Sequence, residues 1–501
     1  MTHADVIIIG AGISGIGTAV HLSRDCPGRD YLVLEGRAAM GGTWDLFRYP
    51  GIRSDSDMYT LGYEFKPWTD RKAIADGHSI LEYLHETARE YGIERHIRYR
   101  QRLVRAEWSS ADARWTLAVR NDETGENAQY TCSVLLMCTG YYSYREGHDP
   151  VFEGRESFAG KVVHPQRWPA DLDWRGKRVV VIGSGATAVT LIPNLARDAA
   201  HVVMLQRSPT YVISRPAIDP VASVIRALLP AKLAYRLIRW KNVRLHDWIY
   251  RRARTQPGKM KGYLLGQVRK ALGSSCDVDR HFTPDYAPWD QRLCLVPDGD
   301  LFESIRSGKA SVVTDRIERF DATGIRLASG EHLDADIIVT ATGLELVTLG
   351  EVAFEVDGEP VDFSRTWTYK GMAYSDVPNL VSTFGYINAS WTLRADLINE
   401  YVCRLINYLD MYGLASATPR VDDGPRTDKP FADFSSGYFA RAEHLLPKQM
   451  TKAPWKQNQS YMHDMMDLRF GQIEDGVLEM KKKAPAAAAP ASAAREAIAA
   501  E

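Results

Sequence analysis

The sequence predicts an α/β protein with two Rossmann-like dinucleotide-binding domains and a helical insertion in the second. Three observations carry this expectation. Residues 5–46 and 177–207 share one pattern: an apolar strand, a glycine-rich turn, a helix, then a second apolar strand. Two more apolar runs, 134–140 and 336–343, end in small-residue turns that suit chain crossings between domains. From residue 217 to 273 the apolar spacing becomes helical.

The first unit opens on the strand Asp5-Val-Ile-Ile-Ile-Gly10, an unbroken apolar run of the kind a buried parallel sheet requires. A secretory signal would need a basic start and a longer apolar core, so a strand is expected and the protein is expected in the cytoplasm. The turn reads Gly10-Ala-Gly12-Ile-Ser-Gly15. Gly10 suits the tight turn, Gly12 lets backbone approach a pyrophosphate, and Gly15 lets the helix pack on the strand. The helix N-terminus stabilises the diphosphate charge. Glu35, closing the next strand, is placed to accept hydrogen bonds from ribose hydroxyls.

The second unit repeats the design as Gly183-Ser184-Gly185-Ala186-Thr187-Ala188-Val189. Where the first unit has Glu35, this one has Gln206-Arg207. An acid there would repel a 2′-phosphate and an arginine attracts it, so NADPH is favoured over NADH. The six cysteines form no CxxC or CxxxxC pair, so neither a zinc site nor a redox dithiol is expected. Electrons passed between two such sites without a dithiol would go to dioxygen or another small acceptor. No metal is expected.

The crossings divide the chain. The first dinucleotide domain takes 1–140 and 341–480, and the second takes 141–216 and 290–340. The helical insertion is 217–289, and a disordered Ala/Pro-rich tail is 481–501. Residues 232–270 hold twelve Lys and Arg and one acid, Asp247. This stretch is either a solvated basic face or a surface that draws in NADPH or touches anionic lipid. A net charge of −1 gives no reason to expect nucleic acid. No apolar run is long enough to span a membrane.

Between the fingerprints, Phe158-Ala-Gly160-Lys-Val-Val-His164-Pro-Gln-Arg-Trp168-Pro169 fits the pattern FxGxxxHxxxW(P/D) at every fixed position. With Gly41-Gly42-Thr43-Trp44-Asp45-Leu46-Phe-Arg-Tyr49-Pro-Gly51-Ile-Arg53-Ser54-Asp55, it makes the chain resemble the type I Baeyer–Villiger monooxygenases, class B flavoprotein monooxygenases. Residues 48–59, 180–189 and 288–297 resemble most closely the ethionamide-activating branch.

The resemblance covers residues 4–480 and implies FAD in the first domain and NADPH in the second. It also implies a C4a-peroxyflavin that converts hydrophobic ketones to esters or lactones with dioxygen and sulfoxidises thioethers as a side activity. The alternative is a flavin monooxygenase that oxygenates sulfur or nitrogen of soft nucleophiles. By resemblance, Arg292 is the cation beside the peroxide and Asp55 the acid that holds it. Gly10, Gly12, Ser14, Gly15, Glu35, Thr43, Trp44, Asp45, Leu46 and Leu103 match FAD contacts. Arg53, Ser54 and Asp55 match the nicotinamide side. Gly183 to Val189, Gln206 and Arg207 match the NADP site. His164 and Trp168 are read as a hinge coupling NADP binding to domain rotation, not as catalysts. The loop 386–391 is a candidate lining of the substrate pocket, with core packing the other reading for Trp391.

Overall fold

The computed structural model describes residues 1–482 except 292, 423–425 and 432–435. Two five-stranded, wholly parallel sheets organise it. The first runs in the order Leu380–Ser382, Val134–Met137, Val6–Ile9, Tyr31–Leu34, Ile97–Arg98. The second runs Lys161–Val163, Ile337–Thr340, Arg178–Ile182, His201–Gln206, Ala310–Thr314.

Successive side chains of a strand face opposite ways, so a parallel sheet covered on both faces needs apolar residues at every position. Val6 and Ile8 pack in the core that holds the helix side, including Ile16 and Leu397. Ile7 and Ile9 turn to the core of a six-stranded sheet, with Trp108, Trp115 and Leu117. The second unit repeats this division. Val179 and Val181 face Leu191 and Ile192 of the helix Ala186–Leu195. Val180 and Ile182 face Phe320 and Ile325 of a small antiparallel sheet.

The chain leaves the first sheet after Met137, enters the second at Lys161, leaves it after Thr340 and rejoins the first at Leu380. The two connections run side by side: Tyr142–Gly147 pairs antiparallel with Leu344–Leu346. Gly140 (φ +75°) and Gly343 (φ +107°) turn the chain into this ribbon in backbone conformations that favour glycine.

The insertion departs from the sequence reading. The helices Pro220–Leu228, Ala231–Thr255 and Pro257–Leu272 leave and return through the parallel pair Val212–Arg215 and Cys294–Pro297. Only the last of the three helices packs into the second unit's core, through Val268 and Leu272. The long helix instead gives Ala234, Tyr235 and Ile238 to the core of the first unit. The basic stretch is not solvated throughout either. Arg239 is buried and donates to the carbonyls of Tyr59 (3.0 Å), Thr60 (3.2 Å) and Gly62 (2.7 Å), with Asp396 at 3.3 Å. Those carbonyls end the short helix Met58–Leu61, where backbone acceptors lack intrahelical donors and a cation is favoured.

The tail boundary also moves. Lys481 and Lys482 extend the strand Leu478–Lys482, paired with Leu414–Pro419. Backbone hydrogen bonding there does not depend on apolar side chains, so composition alone misplaced the end. The rest of the tail, 483–501, lies outside the described residues. Among the described residues no helix is long and apolar enough to cross a membrane.

Candidate active site

The first glycine turn is built as its spacing demands. Gly10 has φ +102°, and a Cβ there would stand 2.6 Å from the Cys138 carbonyl oxygen. A Cβ on Gly15 would lie 1.8 Å from the Gly10 carbonyl oxygen. A Cβ on Gly12 would meet nothing nearer than the Gly42 Cα at 3.5 Å, so the fold leaves this position clear. Gly12 is also the N-cap of the helix Ile13–Asp25 and has no side chain with which to cap it. The first-turn N–H groups therefore face the turn without a side-chain acceptor, as an anion site requires.

Across the turn, Gly41 N–H donates to the Ala11 carbonyl (2.9 Å), which sets the helix Thr43–Leu46 beside it. Thr43 Oγ1 lies 2.5 Å from the Tyr142 hydroxyl, and Asp45 pairs with Arg37 (2.6 Å) and Arg48 (2.5 Å). Glu35 is buried, and its two carboxylate oxygens accept from Ala11 N–H (2.7 Å) and Arg37 N–H (2.8 Å). Burial pushes its carboxyl above the usual carboxylate range, with those two N–H groups acting against it. Each oxygen keeps a lone pair for a further donor. Leu103 is brought alongside because Gln101 N–H donates to the Glu35 carbonyl (2.8 Å). Ser14 Oγ accepts from the Trp391 indole N–H (2.8 Å), and Trp391 stacks on Tyr141.

The second turn is similar but more open. Gly183 has φ +136°, and a Cβ there would stand 2.4 Å from the Ala341 carbonyl oxygen. Gly185, the helix N-cap, has no atom within 4 Å of a built Cβ. Ala188 is buried against the sheet, filling the place Gly15 holds in the first unit. Ser184 Oγ reaches Thr210 Oγ1 at 2.9 Å. Arg207 is exposed at the end of the neighbouring strand. Gln206 is not exposed beside it: its amide donates to the His281 carbonyl (2.7 Å) and Thr314 Oγ1 (2.9 Å), inside the unit. Both cradles have the shape and donors that a dinucleotide diphosphate requires.

The segment 49–55 spans the two units. Gly51 passes so close to Asn194 that a Cβ would stand 1.9 Å from its amide nitrogen. Arg53 pairs with Asp300 (2.5 Å), and buried Ser54 donates its N–H to the Ala75 carbonyl (2.9 Å). Asp55 is exposed and borders a cavity of about 1270 Å³. That exceeds the roughly 300–1,000 Å³ of ordinary small-molecule sites. Its walls include Asp57, Ile213, Leu295, Trp289, Leu293 and the loop residues Ile387 to Ser390. Trp391 is not among them. Arg292 lies outside the described residues, while Leu293 beside it lines the cavity.

Sequence reasoning missed two walls of this cavity. Lys241, Asn242 and His246 come from the long inserted helix, and Gln459 and His463 from near the C-terminus. No spacing signal links these segments, which meet only after folding.

The segment 164–168 clasps the interdomain ribbon. His164 Nδ1 accepts from Gln166 N–H (3.2 Å), and Gln166 donates to the Ser143 carbonyl (2.8 Å). Arg167 donates to the Arg145 carbonyl. Trp168 packs against the second unit's core and Trp174. Burial lowers the His164 pKa, favouring the neutral ring.

A model described as flavin-binding monooxygenase-like matches residues 64–270, and one for an NAD(P)-binding Rossmann-like domain matches residues 8–67. Among solved structures, oxidized steroid monooxygenase bound to NADP superposes with TM-score 0.73 at 24% identity, over 96% of this chain and all of that one. OTEMO complexed with FAD and NADP gives TM-score 0.74 at 22% identity, over 95% and 99%. The probable FAD-binding monooxygenase AlmA of Acinetobacter baylyi is 47% identical over 96% of this chain and 97% of its own. The FAD-containing monooxygenase EthA of Mycobacterium tuberculosis is 52% identical over 482 residues, 96% of this chain and 98% of that protein. With identity of that order along nearly the whole of both chains, this chain belongs to the flavin-binding monooxygenase-like family as an FAD-containing monooxygenase.

Proposed function

We propose that the protein is an NADPH- and dioxygen-consuming Baeyer–Villiger monooxygenase that converts hydrophobic ketones to esters or lactones and sulfoxidises thioethers. The reading is supported by two dinucleotide cradles in one chain and by the segment 49–55 between their units, whose Asp55 borders one large, partly apolar cavity. Residues 1–140 and 341–480 would hold FAD, and 141–216 and 290–340 NADPH, with peripheral contact to an anionic membrane surface part of the same reading.

FAD, reduced by NADPH, supplies the electrons and the site of dioxygen activation. The chain's residues do the rest. The N–H groups after Gly12 and Gly185 hold the two diphosphates, and Glu35 accepts from a ribose. Thr43, Trp44, Asp45, Leu46, Ser14 and Leu103 frame the first nucleotide. Arg53 and Ser54 set the nicotinamide side, and Arg207 receives the 2′-phosphate. Gln206 contributes by buttressing the strand end, since its side chain is engaged internally. Arg292 holds the negative charge that develops on oxygen as the carbonyl is attacked, a contribution of several kcal/mol where water is excluded. Asp55 orients Arg292. His164 and Trp168 transmit NADP binding to the relative position of the two units.

The test is product analysis by mass spectrometry on a ketone chain-length series and matched thioethers, using the FAD-loaded enzyme. Esters from the longer ketones support the reading, and sulfoxide without any ester overturns it. Arg292→Ala should keep FAD reduction by NADPH and lose the ester. Ester formation at the wild-type rate would remove Arg292 from its role.

A further inference from the structure

We propose that the outer face of the helices Pro220–Leu228 and Ala231–Thr255 docks on an anionic lipid bilayer and that the cavity takes its apolar substrate from that surface. The docking gives the peripheral membrane contact proposed above its residues, and the substrate route rests on the oxygenation proposed there.

Seventeen large apolar side chains are exposed among the described residues, and nine of them fall between Ile218 and Trp248. That concentration marks a patch, whereas single exposed apolar residues are ordinary. The long helix is apolar on two opposite faces. Ala234, Tyr235 and Ile238 are buried against the first unit, so tertiary packing explains that face. Leu233 (47% exposed), Leu237 (43%), Trp240 (45%) and Trp248 (57%) repeat at helical spacing on the other and belong to none of the buried cores. Val221, Val224 and Leu228 present a matching stripe on the preceding helix, with Leu228 75% exposed.

Charge decides what covers this face. Exposed Lys232, Arg236, Arg244 and Arg252 are interleaved with the apolar residues. Arg244 lies over Trp240 (5.8 Å) and Arg252 over Trp248 (5.7 Å). The acids nearby are already neutralised, Asp247 by Arg251 (3.0 Å) and Asp219 by Lys241 (2.6 Å). A second copy of the chain would set this basic face against itself in a two-fold interface, which like charge opposes. Exposed Trp and Leu among Arg and Lys are what the boundary of an anionic bilayer accommodates, with rings at headgroup depth and cations on phosphates. The helices would lie on the membrane, since no described helix can cross it.

The same face reaches the cavity. Val221 and Leu245 are exposed and also line it, so they stand on its rim. A lipophilic ketone dissolved in the bilayer would therefore enter without crossing water.

The test is flotation of the FAD-loaded full chain with vesicles of phosphatidylcholine alone or mixed with phosphatidylglycerol. The wild type should float with the mixed vesicles, and high salt should weaken the association. Leu228→Ser with Trp248→Ser should lower the bound fraction about tenfold, at unchanged FAD content and unfolding temperature. Arg244→Gln with Arg252→Gln should abolish the preference for phosphatidylglycerol. A long-chain ketone supplied in vesicles should be oxidised more slowly by the Leu228/Trp248 variant, and a short water-soluble ketone at the wild-type rate. Absence of flotation, or equal flotation of wild type and both variants, would overturn the docking. So would a wild-type dimer in light scattering that the Leu228/Trp248 variant converts to monomer, because a second copy would then cover the face. Flotation needs no turnover, so it can succeed or fail independently of ester formation.

Discussion

His164 rests directly against Gly147: a Cβ on that glycine would stand 2.1 Å from the imidazole Cε1. The glycine ends the outgoing strand of the interdomain ribbon, and the histidine begins the segment that clasps it. Gly147→Ala must therefore displace the ring or the ribbon. FAD content should be unchanged, because both cradles are untouched. NADPH-driven turnover should fall roughly tenfold to 100-fold, as small misplacements between reacting groups do. Stopped-flow reduction of FAD by NADPH measures this, and an unaltered rate would refute the hinge role.

Gly12 and Gly15 should separate binding from folding. A Cβ on Gly15 has no space against the Gly10 carbonyl, so Gly15→Ala should cost about 3 kcal/mol or more and lower the unfolding temperature. A Cβ on Gly12 meets only ordinary contact, so Gly12→Ala should fold normally and yet retain little FAD. The flavin absorbance per chain, read with thermal unfolding, distinguishes the two. Full FAD occupancy in folded Gly12→Ala would move the diphosphate elsewhere.

Arg207 is the exposed cation at the end of the second unit's second strand. Arg207→Ala should raise KM for NADPH about tenfold or more, the scale of a charge-assisted phosphate contact, and leave KM for NADH nearly unchanged. Equal effects on both nucleotides would exclude it from the 2′-phosphate site.

Stability should fall in mild alkali. His21 is buried with Asp25 (3.3 Å) and Asp396 (3.6 Å) at its two ring nitrogens. Burial opposes the charged ring, yet the two carboxylates outweigh both burial and Arg24 and hold its pKa up to about 9. The folded value lies above the unfolded 6.5, so this stabilisation is complete below pH 6.5 and is lost as pH rises through about 9. It is on the order of 3 kcal/mol. Unfolding temperatures between pH 6.5 and 9.5 should decline for the wild type and flatten in His21→Asn. Parallel declines would assign the pH dependence to another group.

Much of this molecule was legible before folding. The strand, turn and helix of each fingerprint are contiguous, and glycine at 10, 15 and 183 answers a demand of backbone conformation or close approach, while 12 and 185 leave the helix N-termini clear. Tertiary structure decided what depends on distant partners. The long helix carries apolar residues on two faces, and the first unit's core together with the carbonyls ending Met58–Leu61 and the carboxylate of Asp396 selects the face with Arg239 for burial. Gln206 reads as a ligand residue in the chain but turns inward because His281 and Thr314 offer it partners. The cavity is assembled from segments hundreds of residues apart, so no local pattern encodes it. Its shape is settled when burial across both units, summed over many weak contacts, fixes how those segments meet.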